Sequence, residues 1–570
     1  MSVVLFACTE QKKDALQAIQ NYVNAQADSL QIRVSDMHAF VQKNDKTSAQ
    51  KTFVLARCHY KHIEGLVEFH FPNTADAMNG PALYEAEDYD DKIVEPTGFQ
   101  VVEEVLYDTQ PLPDTLQHET AHMLAITARL KDQLKSNVWT HENIFEATRL
   151  QIMRIISLGI TGFDSPVSFQ SISEAQQALQ GMHQVLTCYR DRAQKEHDAI
   201  DKYFTAANDY LRSNTSFNDF NRAQFIVDYL NPLSAAIYDY QQACHIGNNR
   251  WLSAVDMTQH NYASGKVMMM DWFAPTYNRD VTSREATVAL GKMLFFDPVL
   301  SGNNARACAS CHQPEKAFTD GNKTSVAFDF QGNLKRNAPT VINAGFQKNQ
   351  FTDSRVQFLE DQITDVVLNA QEMHGQVNAA AVKIAASKAY KKLFSNAFNT
   401  TPDKAVTKAN VQLAIASYIR SLKSVNSRVD QYFEGNKNML TSDEIAGLNL
   451  FMGKAKCATC HFVPLYNGTV PPAFLKSESE VLGVPQQPDT AQAIVDEDLG
   501  KYHTHNRVLH KHAFKTPTLR NASLTAPYMH NGVYKTLEEV IDFYNRGGGS
   551  GIGIQLANQT LPPDALNLST

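Results

Sequence analysis

Long apolar runs are missing from this sequence: nothing approaches the ~18 consecutive apolar residues of a membrane-crossing helix, so no such helix is expected. A basic excess is missing as well. Lysine and arginine number 52 against 60 aspartate and glutamate, a net charge of −8, and they form no patch suited to phosphate backbones. Nucleic acid is therefore not an expected partner. Cysteine is sparse, with 8 in 570 residues. Four of the eight fall in two short motifs, while Cys8, Cys58, Cys188 and Cys244 stand alone, which excludes a disulfide framework. One ordinary core is also excluded, because at roughly 150 residues per domain a chain of this length holds three or four.

What the sequence does contain is concentrated in those two motifs, Cys308-Ala309-Ser310-Cys311-His312 and Cys457-Ala458-Thr459-Cys460-His461. Each C-x-x-C-H offers two thiols that can add to the vinyl groups of a haem and an adjacent imidazole that can bind its iron. Zinc on the four thiolates is the structural alternative, but it leaves the histidine after each pair without a role. Two covalently bound haem c groups are the expected cofactors. Because covalent haem attachment takes place outside the cytoplasm, a periplasmic location is expected with them.

From about Asp14 to Cys244 apolar residues recur at three- and four-residue spacing, in Phe53 to Phe69, His118 to Leu134, Ile144 to Leu158 and Phe225 to Tyr240, which predicts helices. Breaks are expected at Pro72 to Pro81, Pro111 to Pro113 and Gly159 to Pro166. The fold class expected is mainly α: a helical domain over 14–255, then a cytochrome c domain over 265–435 and another over 436–570, one haem each. Residues 1–8 end in Leu5-Phe6-Ala7-Cys8, similar to a bacterial lipobox, which predicts a lipid anchor at Cys8 although no basic residue precedes it. The short leader and the ending at Ser569-Thr570 fit a chain truncated at either end.

Around the motifs the sequence resembles the bacterial di-haem cytochrome c peroxidase and MauG family. The resemblance rests on Leu290-Gly291-Lys292, Phe295-Phe296-Asp297-Pro298, Leu300-Ser301-Gly302 and Ala317-Phe318-Thr319-Asp320-Gly321. It continues through Arg336-Asn337-Ala338-Pro339-Thr340, Phe514 to Asn521 and Ala526 to Gly532, covering about Met268 to Gly549. It implies a peroxidatic first haem, with Gln362 and Glu372 in its pocket. A peroxidase needs an iron with a free side and a nearby group to move a proton between the peroxide oxygens, and Glu372 is the candidate shuttle with Gln362 as the orienting donor. Relatives often close this haem with a histidine from the following loop. No histidine lies between Gln313 and Asn343, so the first haem is expected open.

For the second haem the resemblance implies Tyr544 as the ligand opposite His461, with Met529 as its rival. A phenolate ligand favours oxidised iron and lowers the potential. The resemblance further implies calcium, on oxygens of Asn337, Thr525 and Pro527, a hard donor set that suits this ion. Two departures stand out: Thr352 occupies a position where relatives have an inter-haem Trp, and Val366 replaces a Pro. The function implied is reduction of hydrogen peroxide, with electrons drawn through the second haem from a small donor protein or a protein substrate. The alternative is a non-catalytic di-haem electron-transfer or redox-sensing protein.

Two weaker signals complete the reading. His503, His505, His510 and His512 could bind a metal, but a solvated loop is expected. Gly98-Phe99-Gln100-Val101-Val102-Glu103 weakly resembles the G-x-H-x-x-E segment of imelysin-like helical domains, with Gln100 in place of the histidine. Glu64, Glu68 and Glu103 are accordingly expected on solvated helix faces.

Overall fold

Asp14 and Asp45 open the first two helices as N-caps, their carboxylates accepting from Leu16 N at 3.1 Å and Ser48 N at 3.0 Å. In α1, Ala15–Gln42, the residues Ile19, Val23, Leu30, Val34, Met37 and Val41 form one buried stripe against α2, Lys46–His70. This computed structural model describes residues 14–86, 93–108, 114–249, 253–282 and 284–568. Cys8, Pro111 to Pro113 and Ser569-Thr570 lie outside the described residues. The chain divides into two compact units, one of Met1–Glu85 with Val94–Trp251, the other of Ala86–Ile93 with Leu252–Thr570.

The first unit is a helical assembly. After α2 come α3, Pro72–Asn79, α4, Phe99–Tyr107, α5, Asp114–Ser136, α6, His141–Arg154, α7, Ser171–Thr187, α8, Gln194–Ser213, and α9, Asn231–Ala243. Helix α3 corrects the expected break at Pro72 to Pro81: Pro72 sits in the first turn, where its missing N–H costs nothing. Helix α7 lies so close on α2 that a Cβ at Gly181 would fall 2.1 Å from His62 O, which only glycine permits. A π-helical turn, Ile155–Gly159, continues α6, and Phe225 to Tyr240 runs through a second π-turn, Ile226–Leu230, into α9.

The expectation of solvated Glu64, Glu68 and Glu103 is also corrected. Glu64 is 1% and Glu103 0% exposed. Lys61 Nζ reaches Glu64 at 2.6 Å and Asp164 at 2.7 Å, and Arg154 reaches Asp164 at 2.8 Å and Glu68 at 3.1 Å. Arg57 pairs with Glu174 and donates to Asn79 Oδ1 at 2.7 Å. Glu103 accepts from Ser165 Oγ at 2.7 Å and Ser168 N at 2.8 Å. Buried carboxylates survive because cations and hydroxyls replace their water. Gln100 donates to Asn79 O at 3.0 Å at the edge of this network, whose cations are Arg57, Lys61 and Arg154.

The second unit holds both motifs and is also mainly α. Its first hydrophobic cluster joins α10, Glu285–Phe296, α11, Leu359–Leu368, α12, Val377–Ala385, α13, Lys388–Phe398, and α14, Lys408–Ser421. Helices α10 and α14 touch through Gly291, where a Cβ would fall 1.8 Å from Ala414 O. Arg420 on α14 grips Glu360 on α11 with two bonds of 2.7 and 2.8 Å, both groups buried. After α15, Ser442–Met452, a second cluster gathers Val484, Ala493, Val533, Tyr534, Ile552 and Ile554 around Phe543 of α16, Leu537–Asn545. Strands β1, Ser479–Glu480, and β2, Phe514–Lys515, pair antiparallel with Ser479 opposite Lys515 and Glu480 opposite Phe514. No helix among the described residues is long and apolar enough to cross a membrane.

Candidate functional site

The two motifs fold alike. Each begins in a single 3₁₀ turn, Cys308–Ser310 or Cys457–Thr459, and is closed by the histidine N–H donating to the first cysteine carbonyl, at 3.0 Å for His312 and 2.9 Å for His461. None of the seven described cysteines is tied up in a disulfide, so both motif pairs are available to a haem. His312 Nδ1 lies 3.1 Å from Phe318 O and His461 Nδ1 lies 3.0 Å from Pro517 O. A carbonyl on Nδ1 fixes the ring and leaves Nε2 unprotonated to bind iron. Burial lowers both imidazole pKa values, that of His461 to about 4, which keeps them in the neutral, ligating form. Free thiol pairs beside oriented, neutral imidazoles fit covalently attached haem.

Near the first motif, Phe295 packs against His312, Phe318 and Tyr418 with ring centroids 5.2 to 6.4 Å apart. Glu372 follows α11 in a turn that two glycines make possible. A Cβ at Gly302 would fall 2.1 Å from His374 O, and one at Gly375 would fall 2.3 Å from Leu300 O. Those backbones touch, and Gly302 N donates to Met373 O at 3.0 Å. Glu372 is half-buried and accepts from Asn369 Nδ2 at 2.7 Å. Burial raises its carboxyl pKa, opposed by the Arg355 charge, the Asn369 bond and the Arg306 charge. Cys311 feels the charges of Arg306, Asp320 and Glu372, so Glu372 belongs to the surroundings of the first motif. Gln362, on α11, is half-buried, and its amide makes no hydrogen bond among the described residues. Val366 packs into the first cluster.

The loop after the first motif is pinned. Arg306 donates to Val326 O and Ala327 O, both at 2.8 Å, and Phe328 N donates to Gln371 O at 2.7 Å. Asn369, Arg355 and Arg306 were not singled out from sequence. Only Asn369 left a signal there, as a turn-forming residue three positions before Glu372.

Near the second motif, Tyr544 is held with its phenol pKa raised, by burial first and then by the charges of Cys460, Cys457 and Glu480. The capping box of Thr536 and Glu539 starts the helix that carries it. Met529 packs on the same cluster as Tyr544. Asn337 Nδ2 donates to Pro527 O at 3.1 Å and to Met529 O at 2.9 Å, while Thr525 Oγ1 donates to Ala522 O at 3.2 Å. Asn337 and Pro527 thus meet, but calcium there requires the amide to turn its Oδ1 inward. Thr352 Oγ1 accepts from Arg336 Nη1 at 3.1 Å, and Arg336 also holds Asp353 at 2.6 Å and Asp498 at 2.6 and 2.9 Å.

Only part of the histidine-rich segment is solvated as expected: His503 is exposed, whereas His510 and His512 are buried. His510 is 7% and His512 8% exposed, and His512 Nδ1 bonds Asp498 O at 3.0 Å. His505 meets His510 edge-on, with ring centroids 5.4 Å apart.

Paired C-x-x-C-H turns with oriented imidazoles, in a mainly α unit, define a di-haem c-type cytochrome. The family model for di-haem cytochrome c peroxidase matches residues 285–438. The cytochrome-c peroxidase IdrP1 of Pseudomonas sp. (strain SCT) is 34% identical over 280 residues, 46% of this chain and 73% of that protein. The cytochrome c551 peroxidase of Nitrosomonas europaea is 34% identical over 268 residues, covering 47% and 75% of the two chains. The methylamine utilization protein MauG of Methylorubrum extorquens is 32% identical over 261 residues, covering 46% and 69%. A solved MauG-like protein associated with microbial copper homeostasis is 30% identical, with a TM-score of 0.42 over 50% of this chain and 83% of that one. This chain belongs to the di-haem cytochrome c peroxidase and MauG family. It is an oxidoreductase of that type and carries two covalently bound haem c groups.

Proposed function

We propose that hydrogen peroxide is reduced at the haem held by Cys308, Cys311 and His312, with Glu372 moving the proton and Gln362 orienting the peroxide. Cys457, Cys460, His461 and Tyr544 would hold the second haem, which would supply electron relay from a small donor protein or a protein substrate. Haem c supplies the iron at which peroxide is reduced. The observation that carries the reading is the setting of Glu372: half-buried, held by Asn369 at 2.7 Å, and in electrostatic reach of Cys311.

Burial raises the Glu372 pKa toward the range useful for proton transfer, while Arg355, Asn369 and Arg306 keep the carboxylate accessible. The carboxylate takes a proton from one peroxide oxygen and gives it to the other as the O–O bond breaks. Two electrons and two further protons then yield two waters. The unpaired Gln362 amide is available to hold the peroxide in place. The loop pinned by Arg306 and Gln371 contains no histidine, which supports an open first iron.

In the same reading, residues 14–255 form a partner- or substrate-docking domain, 265–435 the peroxidatic domain and 436–570 the electron-transfer domain. The protein works in the periplasm, where haem c is attached, with a lipid anchor at Cys8. Asn337, with its amide turned to offer Oδ1, Thr525 and the Pro527 carbonyl would hold a calcium ion. The test is Glu372→Gln. Loss of a general acid/base lowers the rate roughly 10²- to 10⁴-fold, so rapid mixing with peroxide should show a slowing of that order at unchanged haem content. A variant that reacts as fast as the parent overturns the assignment.

A further inference from the structure

The helical unit holds a ligand cluster that the haem chemistry does not use. His183 on α7 and His197 and Asp201 on α8 each bring one ligand atom to within 4.8 Å of the others. His197 and Asp201 are four residues apart on α8 and share a face. His183 comes from α7, which packs alongside. Asp201 serves both rings: Oδ1 lies 2.5 Å from His183 Nε2 and Oδ2 lies 3.3 Å from His197 Nδ1.

The unusual member is His197. It is 0% exposed, and neither ring nitrogen makes a hydrogen bond. A buried polar group left unpaired is costly, so such a group calls for a partner. A His183–Asp201 ion pair accounts for His183, but it leaves His197 with only a 3.3 Å contact of Nδ1 to Asp201 Oδ2 that is not a hydrogen bond, and with Nε2 making none.

We propose that His183, His197 and Asp201 bind one divalent transition-metal ion through two imidazole nitrogens and a carboxylate. Nitrogen-rich ligands select zinc, copper, nickel or iron over calcium and magnesium. His183 and Asp201 are 28% and 29% exposed, so the site opens to solvent on one side and leaves room for water as a further ligand. Its inner wall is aromatic: Phe204 stacks on His183 at 4.7 Å, and Tyr240 meets His197 edge-on at 5.6 Å. Arg190 approaches Asp201 at 3.2 Å and Asp198 at 3.7 Å. From that outer position it orients the carboxylate, as partners of ligating groups commonly do.

The test uses the full-length, haem-loaded protein. It is dialysed against zinc(II) or copper(II), and metal per chain is measured by mass spectrometry with haem iron as internal standard. The parent should retain one equivalent, while His183→Ala and Asp201→Asn should retain at least tenfold less at the same free metal concentration. Copper-loaded parent should show electron-paramagnetic hyperfine structure from two nitrogens, falling to one in His183→Ala. Helical circular dichroism and haem content report folding. If His183→Ala is misfolded, the isosteric Asp201→Asn decides. A parent that retains neither metal overturns the proposal, as do folded variants that retain it unchanged and a parent that retains calcium instead.

Discussion

Asn369→Ala probes how the proton shuttle is tuned. Its Nδ2–H donates to Glu372 Oε1 at 2.7 Å and stabilises the carboxylate, so removing it raises the Glu372 pKa further above its ordinary value. A hydrogen bond to a charged group is worth about 1.5–3 kcal/mol. Glu372 is only half-buried and keeps Arg355 and Arg306, so the lower end applies, close to the ~1.4 kcal/mol that equals one pH unit. If peroxide reacts with the ionised form, activity is lost as pH falls through the Glu372 pKa. The acid limb of the pH profile should therefore move up by about one unit in the variant. Within that limb the rate falls roughly tenfold, while the high-pH plateau stays where it was. Stopped-flow mixing with peroxide across the pH range reads both quantities. Asn369→Asp, which also sets a negative charge beside Glu372, should move the limb further in the same direction. A limb that stays in place while the plateau drops would refute the tuning argument and leave Asn369 a structural turn residue.

Three further outcomes are expected. Tyr544→Phe should abolish the low-spin signal of the resting protein and Met529→Ala should preserve it; the reverse pattern would assign the ligand to Met529. Arg420→Leu should destabilise the second unit by about 3–5 kcal/mol in urea unfolding, because it strands the buried Glu360 carboxylate. A loss below about 1 kcal/mol would show that solvent reaches that pair. Asp164 is held to about 2 despite burial, which raises it, by the charges of Arg154 and Lys61. Its folded pKa is depressed, so its contribution is complete above the unfolded value near ~3.9 and is lost as pH falls toward 2. Acid unfolding of the helical unit should thus steepen below about pH 4, and Asp164→Asn should flatten that slope.

What could be read directly was what the chemistry forces into neighbouring positions. A C-x-x-C-H turn needs its thiols and imidazole contiguous, so both haem sites were visible as five-residue words. Helix periodicity likewise marked the course of α2 through Phe53 to Phe69. Glu64 and Glu103 were misjudged for the converse reason. Gln151, which meets Glu64 beside the neighbouring Lys61, and Ser165, which meets Glu103, lie far along the chain, and a carboxylate on a helix looks the same whether it meets water or a buried donor. His510 and His512 were misjudged in the same way, since a polar cluster gives no sign of the turn that folds His512 onto Asp498. The break assigned at Pro72 came from treating proline as a helix breaker where it is a helix starter.

Thr352 illustrates what a substitution hides when read alone. By resemblance an aromatic bridge between the haems is missing at that position, which reads as weakened contact between them. In the fold, Thr352 Oγ1 is one ligand of Arg336, whose guanidinium also holds Asp353 from the first haem region and Asp498 from the second. Arg355 holds Asp353 from the other side at 2.9 Å. Arg336 lies over Phe514, 5.5 Å from its centroid, and Phe514 stacks on His530 at 3.8 Å. An aromatic pair therefore stands beside the same arginine, contributed by residues more than a hundred positions away. The hydroxyl of Thr352 and the two aspartates share one arginine, so this partly buried ion-pair network joins Asp353 to Asp498 across the sequence. The change that removes an aromatic from one segment thus accompanies a tie between two, and the second effect depends on Asp498 and Phe514, which no reading of residues 350–353 could supply.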